Sequence, residues 1–170
     1  MKQKLIVVRG TACSGKTTVC KLVRDYDKKI AWVTMDNIKL IFANHEDRTL
    51  DDANGTEIFL VNYLLGKGFS VIVDGIFKKH WHYEDLIEEV NKKNSPVQLF
   101  QLECSMDTLK QRDKTRYGVK QGFWPSLGDE LIQNLYKAVE DNPIEEAEIL
   151  NTEKMSPNEI AVIINKEFFR

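Results

Sequence analysis

The 170-residue chain predicts an α/β fold, a five-stranded parallel sheet with helices on both faces. Three observations carry that expectation. Short β-branched apolar runs alternate with stretches of helical spacing along the whole length, and such alternation builds parallel sheets. The first apolar run, "LIVVRG", breaks into "TACSGKT" and then resumes as apolar residues spaced for a helix. No internal repeat, low-complexity tract or linker interrupts the pattern, so residues 1–170 read as a single domain.

The elements follow in order. Residues 4–8 read as a strand and 16–24 as a helix. A second strand at 30–34 leads into a short helix near 37–42. Helical spacing over 56–65 stops at Gly66 and Gly68, the residues that end helices most readily. The third strand is 69–73, followed by a helix at 84–92 and a fourth strand at 97–103. Residues 106–116 are helical, "YGVKQGFWPSLG" is a loop, and 129–139 is helical again. A short strand at 148–150 and a helix at 156–169 close the pattern. Open parallel sheets bind ligands at the carboxyl ends of their strands, which directs attention to the residues just after each one.

Composition narrows the class. Hydrophobic residues make up 42% and charged residues 29%, the balance of an ordinary globular protein. A net charge of -2 provides no global basic field to collect nucleic acid, which leaves a nucleic-acid partner possible but not favoured. No apolar run approaches the ~20 residues of a membrane span, and the short apolar run at the start does not read as a signal peptide. Cys13, Cys20 and Cys104 lack zinc-site spacing and read as reduced thiols, so the expectation is a cytoplasmic protein, monomer or homodimer.

"GTACSGKT" has Gly10, four residues, then Gly15, Lys16 and Thr17, the spacing of a phosphate-binding loop between a strand and a helix. Gly10 and Gly15 let the backbone curl so that the amides of Thr11, Ala12, Cys13 and Ser14 point inward as an anion nest. The helix N-terminus adds partial positive charge. Lys16 neutralises the β- and γ-phosphates of a bound nucleoside triphosphate, and the Thr17 hydroxyl ligates Mg²⁺. Thr18 adds a hydroxyl near the α-phosphate, or is simply a helix residue. Cys13 is either a thiol acidified by the helix start or the occupant of a permissive loop position.

Other strand ends supply the supporting groups. "FSVIVDG" places Asp74 where a carboxylate supports hydrated Mg²⁺, although strand–Asp–Gly is also a common turn. "IAWVTMDNIKLIF" ends a strand at Asp36, which reads equally as a general base for an acceptor hydroxyl or, with Asn37 as the other candidate, as a helix N-cap. Lys39, one turn on, faces a negative substrate group or solvent. Lys78, with Lys79, His80 and His82, forms a polar rim beside an acceptor site; the histidine spacing argues against zinc. Arg112 and Arg116 stand four apart on a helix that runs into a Gly-bounded loop, the arrangement of a mobile lid over about 112–127 that brings positive charge to a transferring phosphoryl group. The alternative is salt bridging, to Asp113 or Glu130. Phe123 and Trp124 in that loop stack on a ring or anchor the loop.

With these residues in view, the chain resembles the small P-loop kinases: shikimate, gluconate and chloramphenicol kinases, and most closely the kinase domain of polynucleotide 5′-hydroxyl kinases. The resemblance covers nearly the whole chain in element order and is specific in the phosphate loop. It implies a three-layer P-loop NTPase fold with a small lid, and an ATP- and Mg²⁺-dependent phosphotransferase acting on a hydroxyl acceptor. It puts Asp36 and Lys39 in the acceptor site, Arg112 in the adenine-facing place, Arg116 in the phosphate-facing place, and the turn at Asn151 and Thr152 beside the adenine. Lys39 stands where that family has an arginine. The acceptor stays open: a small molecule, a nucleoside or a nucleic-acid 5′-hydroxyl. Two further classes stay in view, a stand-alone NTPase and a nucleotide-binding regulatory module. A guanine-specific switch is disfavoured, because "NKKN" precedes the fourth strand and lacks the aspartate of a base reader.

Overall fold

The computed structural model describes residues 3–42, 47–92, 94–122 and 125–169. Among them, five strands form one parallel sheet: β1 (Leu5–Gly10), β2 (Ile30–Thr34), β3 (Ser70–Gly75), β4 (Val97–Glu103) and β5 (Glu148–Asn151), in the spatial order β2-β3-β1-β4-β5. The helices are α1 (Lys16–Arg24), α2 (Met35–Lys39), α3 (Asp47–Gly66), α4 (His80–Asn91), α5 (Met106–Thr115), α6 (Asp129–Glu140) and α7 (Pro157–Phe169).

Period-two alternation sorts the side chains of β1 between two faces. Leu5 and Val7 join Val33, Val71, Val73, Val61, Leu65 and Leu86 under α2, α3 and α4. Ile6 and Val8 join Ile72, Phe100, Val19, Val23, Ile160 and Ile164 under α1 and α7. All six β1 residues are buried, which is why this strand reads as a continuous apolar run. Burying each large aliphatic side chain contributes about 1.5–3 kcal/mol, so the loss of any one from β1 would be costly. A third, smaller cluster of Cys104, Leu109 and Ile132 packs α5 against α6.

The register aligns the carboxyl ends. Val8 pairs with Asp74, Asp74 with Thr34, Gly10 with Leu102, and Glu103 with Asn151. The phosphate-loop glycine, the strand-end aspartate, the start of α2 and the Asn151 turn thus open on one edge of the sheet.

Three helices differ from their expected limits by more than one residue. α3 begins at Asp47, not 56, because Ala53 and Asn54 are buried in tertiary packing that overrides the turn-like composition of "DDANG". α4 begins at His80, not 84; its N-cap, Lys79, makes no side-chain cap and gives the sequence no start signal. α2 spans Met35–Lys39, shorter and earlier than 37–42, with Thr34 at its N-cap. Phe123 and Trp124 lie outside the described residues.

Candidate active site

The phosphate loop is tight by construction. A side chain on Gly10 would come within 2.6 Å of Ser14 Oγ and 2.8 Å of the Leu102 carbonyl. Gly15 caps α1 with φ 103, a left-handed value glycine reaches without strain. Ser14 is fully buried, and its amide donates to the Thr11 carbonyl at 3.3 Å. The hydroxyls of Thr11 and Ser14 are buried without a hydrogen-bond partner among the described residues. Lys16 Nζ donates to the carbonyls of Gly10 (2.8 Å) and Thr11 (2.9 Å). Burial pushes the Lys16 ammonium below its ordinary value, while Asp74 and Asp36 pull it back up. Cys13 adopts φ 64, and burial and Asp113 push its thiol up, so the acidified thiol that the helix start suggested is not found.

A cavity of about 720 Å³, within the usual range for a small-molecule site, opens over this loop. Its lining includes Ala12 to Thr18, Asp36, Ile76, Arg112, Arg116 and Thr152. Asp36 sits in the first turn of α2 with its side chain 88% exposed; Lys39 Nζ is 3.9 Å from its Oδ1, an exposed pair of small worth. Because Thr34 is the N-cap, the expected capping role of Asp36 or Asn37 is not what the structure shows. Lys39 and the exposed Lys78 lie outside the lining of the cavity.

Asp74 is 4% exposed at the end of β3, and its Oδ1 accepts from Trp32 Nε1 at 2.8 Å. Burial raises its carboxyl above the ordinary value; the Trp32 indole and Lys16 oppose that shift. Sequence reasoning missed Trp32, since an aromatic residue in a strand carries no sign that its N–H serves a carboxylate. Thr17 and Asp74 are oxygen donors of the kind Mg²⁺ takes. Mg²⁺ needs only one or two protein groups when phosphates supply the rest, so the donor set fits a metal shared with nucleotide. No group of three or more His, Cys, Asp or Glu among the described residues could hold a metal by itself.

The two arginines divide. Arg112, in the last turn of α5, donates to Thr152 Oγ1 (2.9 Å) and the Thr152 carbonyl (2.8 Å), and more weakly to the carbonyls of Cys13 and Ser14 (both 3.4 Å). It thereby ties the phosphate loop to the turn after β5. In that turn Asn151 Oδ1 accepts the amides of Glu153 and Lys154, so Asn151 shapes the turn while Thr152 lines the cavity. Arg116 follows α5 with an extended backbone (ψ 153) and faces the cavity. Its Nε lies 3.1 Å from Asp113 Oδ1, without hydrogen-bond alignment. Asp113 is 1% exposed and accepts the amides of Leu127 and Gly128, both at 3.1 Å, so it fixes the far end of the loop as well. The pairing with Asp113 raised as an alternative for this helix thus coexists with a place at the cavity.

Arg9, also missed, is 1% exposed at the end of β1. It donates to Gln101 Oε1 (2.8 Å) and to the carbonyls of Ile76, Phe77 and Val139 (3.3, 3.2 and 3.4 Å). It fastens the loop after β3 beside Gly10.

The parallel order, the glycine-bounded loop and the lysine at the start of α1 define a P-loop protein with the architecture of the small P-loop kinases. Residues 5–123 match the AAA domain family, well over half of the chain, and the protein belongs to that family. No curated protein matches the sequence significantly. Among solved structures, it is similar to a sugar kinase from Janibacter sp. HTCC2649 (TM-score 0.71, 18% identity, covering 98% of this chain and 95% of that one). It is similar also to the APS kinase CysC of Mycobacterium tuberculosis, solved with AMPPNP and APS (TM-score 0.70, 16% identity, 98% of each chain). A chain of the Pnkp1/Rnl/Hen1 RNA repair complex matches at TM-score 0.69 and 16% identity, over 85% of this chain and 49% of that one. At such identities the likeness is one of fold. No helix among the described residues is long and apolar enough to cross a membrane.

Proposed function

We propose that the protein is an ATP- and Mg²⁺-dependent phosphotransferase that moves the γ-phosphoryl group to a hydroxyl acceptor. The observation that carries this reading is one cavity lined by the phosphate loop with Lys16, by the exposed carboxylate of Asp36, and by Arg112 and Arg116. A protein that only held nucleotide would need neither the carboxylate nor the second arginine there.

The α1 N-terminus, the loop amides and Lys16 hold the β- and γ-phosphates; to do so Lys16 exchanges the carbonyls of Gly10 and Thr11 for phosphate oxygens. Mg²⁺, held by Thr17 and Asp74, would supply charge neutralisation on the phosphate oxygens. Asp36 accepts the proton of the acceptor hydroxyl as its oxygen bonds to phosphorus and the bond from the γ-phosphorus to the bridging oxygen breaks, leaving ADP. Arg116 stabilises charge on the transferring group. Arg112 with Thr152 flanks the nucleoside.

The test is nucleotide turnover with labelled ATP against hydroxyl compounds and 5′-hydroxyl oligonucleotides. Slow hydrolysis alone, accelerated by one acceptor that becomes labelled, is expected. Turnover that no acceptor changes would instead support a stand-alone NTPase.

A further inference from the structure

The carboxylate at the end of β3 is held from a neighbouring strand. In the parallel register Trp32 of β2 pairs with Ile72, and Thr34 with Asp74. Trp32, Thr34, Ile72 and Asp74 therefore share one face of the sheet, with Trp32 and Asp74 as diagonal neighbours. That face is the α1 side: Ile72 clusters with Val19, Cys20 and Val23 of α1, and Trp32 packs against the same cluster. A diagonal step is long for most side chains but within reach of an aromatic one. Trp32 Nε1 closes it, donating to Asp74 Oδ1 at 2.8 Å. Thr34 gives the same carboxylate a second hydrogen bond.

The two donors differ in what they can hold. A threonine hydroxyl rotates, and it both donates and accepts, so it follows the carboxylate. An indole N–H only donates, in a direction set by its ring. The Trp32 ring is itself held: it packs on the apolar cluster beneath α1, and the Arg24 guanidinium lies 5.6 Å from its centroid. Arg24 is fixed in turn by Asp25 Oδ1, which accepts from its Nε at 2.8 Å and its Nη2 at 2.6 Å. A ring held in this way sets the tilt of the carboxylate. Phenylalanine would cover the same apolar residues, so what tryptophan adds at this position is the hydrogen bond.

We propose that Trp32 is a positioning residue for Mg²⁺: its indole N–H fixes the Asp74 carboxylate in the orientation that receives the metal. The inference rests on the phosphotransferase reading, in which Thr17 and Asp74 hold Mg²⁺, and names a further residue for that site. Carboxylates that bind metals are themselves hydrogen-bonded, and removing such a partner typically costs about 10–100-fold in metal affinity. The edge strand β2 thereby contributes to a metal place otherwise built from β3 and α1.

The test uses the full chain, with Mn²⁺ as the metal probe and ADP as the nucleotide, so that binding is read without turnover. Trp32→Phe should weaken Mn²⁺ binding to the ADP complex by about tenfold or more, read by electron paramagnetic resonance. Its affinity for ADP in chelator should stay within about twofold. Asp74→Asn should weaken Mn²⁺ binding at least as much. In ATP hydrolysis without acceptor, Trp32→Phe should need more Mg²⁺ for half its maximal rate by the same factor. Saturating Mg²⁺ should return the wild-type rate, a recovery that a general packing defect would not give. Should Trp32→Phe fail to fold, nuclear magnetic resonance of the wild-type chain with isotope-labelled indole nitrogens decides. The Trp32 signal, assigned through Trp81→Phe and Trp124→Phe, should shift when Mg²⁺ joins the ADP complex; a signal that ignores the metal overturns the inference. Unchanged Mn²⁺ affinity in Trp32→Phe beside a weakened one in Asp74→Asn also overturns it, and leaves the phosphotransferase reading standing. So does a loss of ADP affinity in chelator as large as the loss of Mn²⁺ affinity, which would make Trp32 a packing residue only. Unchanged Mn²⁺ affinity in both variants removes Asp74 from the metal and overturns that part of the reading as well.

Discussion

Raising the pH from 5 to 8 should weaken the folded state, and Glu57 should account for most of the loss. Its carboxyl is pushed from an ordinary 4.5 to about 8, first by burial and then by Asp74, with Lys39 opposing. The folded chain therefore keeps a proton that the unfolded chain releases once the pH passes 4.5. The stability of the protonated pocket is fully present below 4.5 and declines as the pH rises through about 8. Each pH unit inside that window is worth ~1.36 kcal/mol, so the loss approaches ~5 kcal/mol by pH 8. A typical domain has only about 5–15 kcal/mol in total. Asp74, also raised, adds a slope of the same sign just above its ordinary value. His82, lowered by burial, contributes the opposite slope below 6.5. Comparing the wild-type chain with Glu57→Gln removes both, because they are common to the two proteins. Urea unfolding followed by far-UV circular dichroism at pH 5, 6, 7 and 8 should give a falling midpoint for wild type and a much flatter profile for the variant. Parallel profiles would refute the reasoning and mean that Glu57 ionises freely in the folded chain.

Three further expectations concern the cavity. Lys16→Ala should cut phosphoryl transfer by at least ~10²-fold with the melting temperature unchanged or raised, since a partly desolvated ammonium is lost; near-normal turnover would remove the phosphate-loop assignment. Asp36→Asn should leave stability within ~0.5 kcal/mol, as befits an exposed side chain that caps nothing, yet lose about 10²–10⁴-fold in acceptor phosphorylation; an active asparagine variant would send the search for a base elsewhere. Steady-state kinetics should separate the arginines. Arg116→Ala should lower kcat by roughly 10²–10³-fold, and Arg112→Ala, which unties Thr152 from the phosphate loop, should mainly raise the KM for ATP; effects confined to acceptor affinity would reassign both.

The parallel sheet was legible because each strand is a short β-branched run closed by a turn or a helix signal, and β2 and β4 match their expected limits to the residue. The phosphate loop was legible because its chemistry is local: two glycines, a lysine and a threonine at fixed spacing. What escaped was long-range. Nothing near Trp32 in the chain announces Asp74, 42 residues on. Arg9 reads as one charge in an apolar run until the partners from β4, the loop after β3 and α6 are assembled around it. Glu57 was hidden by a boundary: with the helix begun at 56 it falls in the first turn, where acids are ordinary. Only a helix begun at Asp47 puts it in line with Ala53 and Val61.

The Arg9 junction has a bearing on how this protein can change. Three of its four acceptors are main-chain carbonyls, at Ile76, Phe77 and Val139, and no side-chain replacement removes a carbonyl. Two of them belong to a loop whose Phe77 holds a left-handed φ of 47, a conformation that needs outside support. The Arg9 bonds therefore set no demand on the side chain at 76 or at 139, although Val139 is held by its own burial, and the loop after β3 can be retuned for a new acceptor while the phosphate loop next door keeps its shape. Tolerance is lent outward by one intolerant position. Lineages descending from this chain can explore the rim of the cavity widely, provided that the arginine before Gly10 stays.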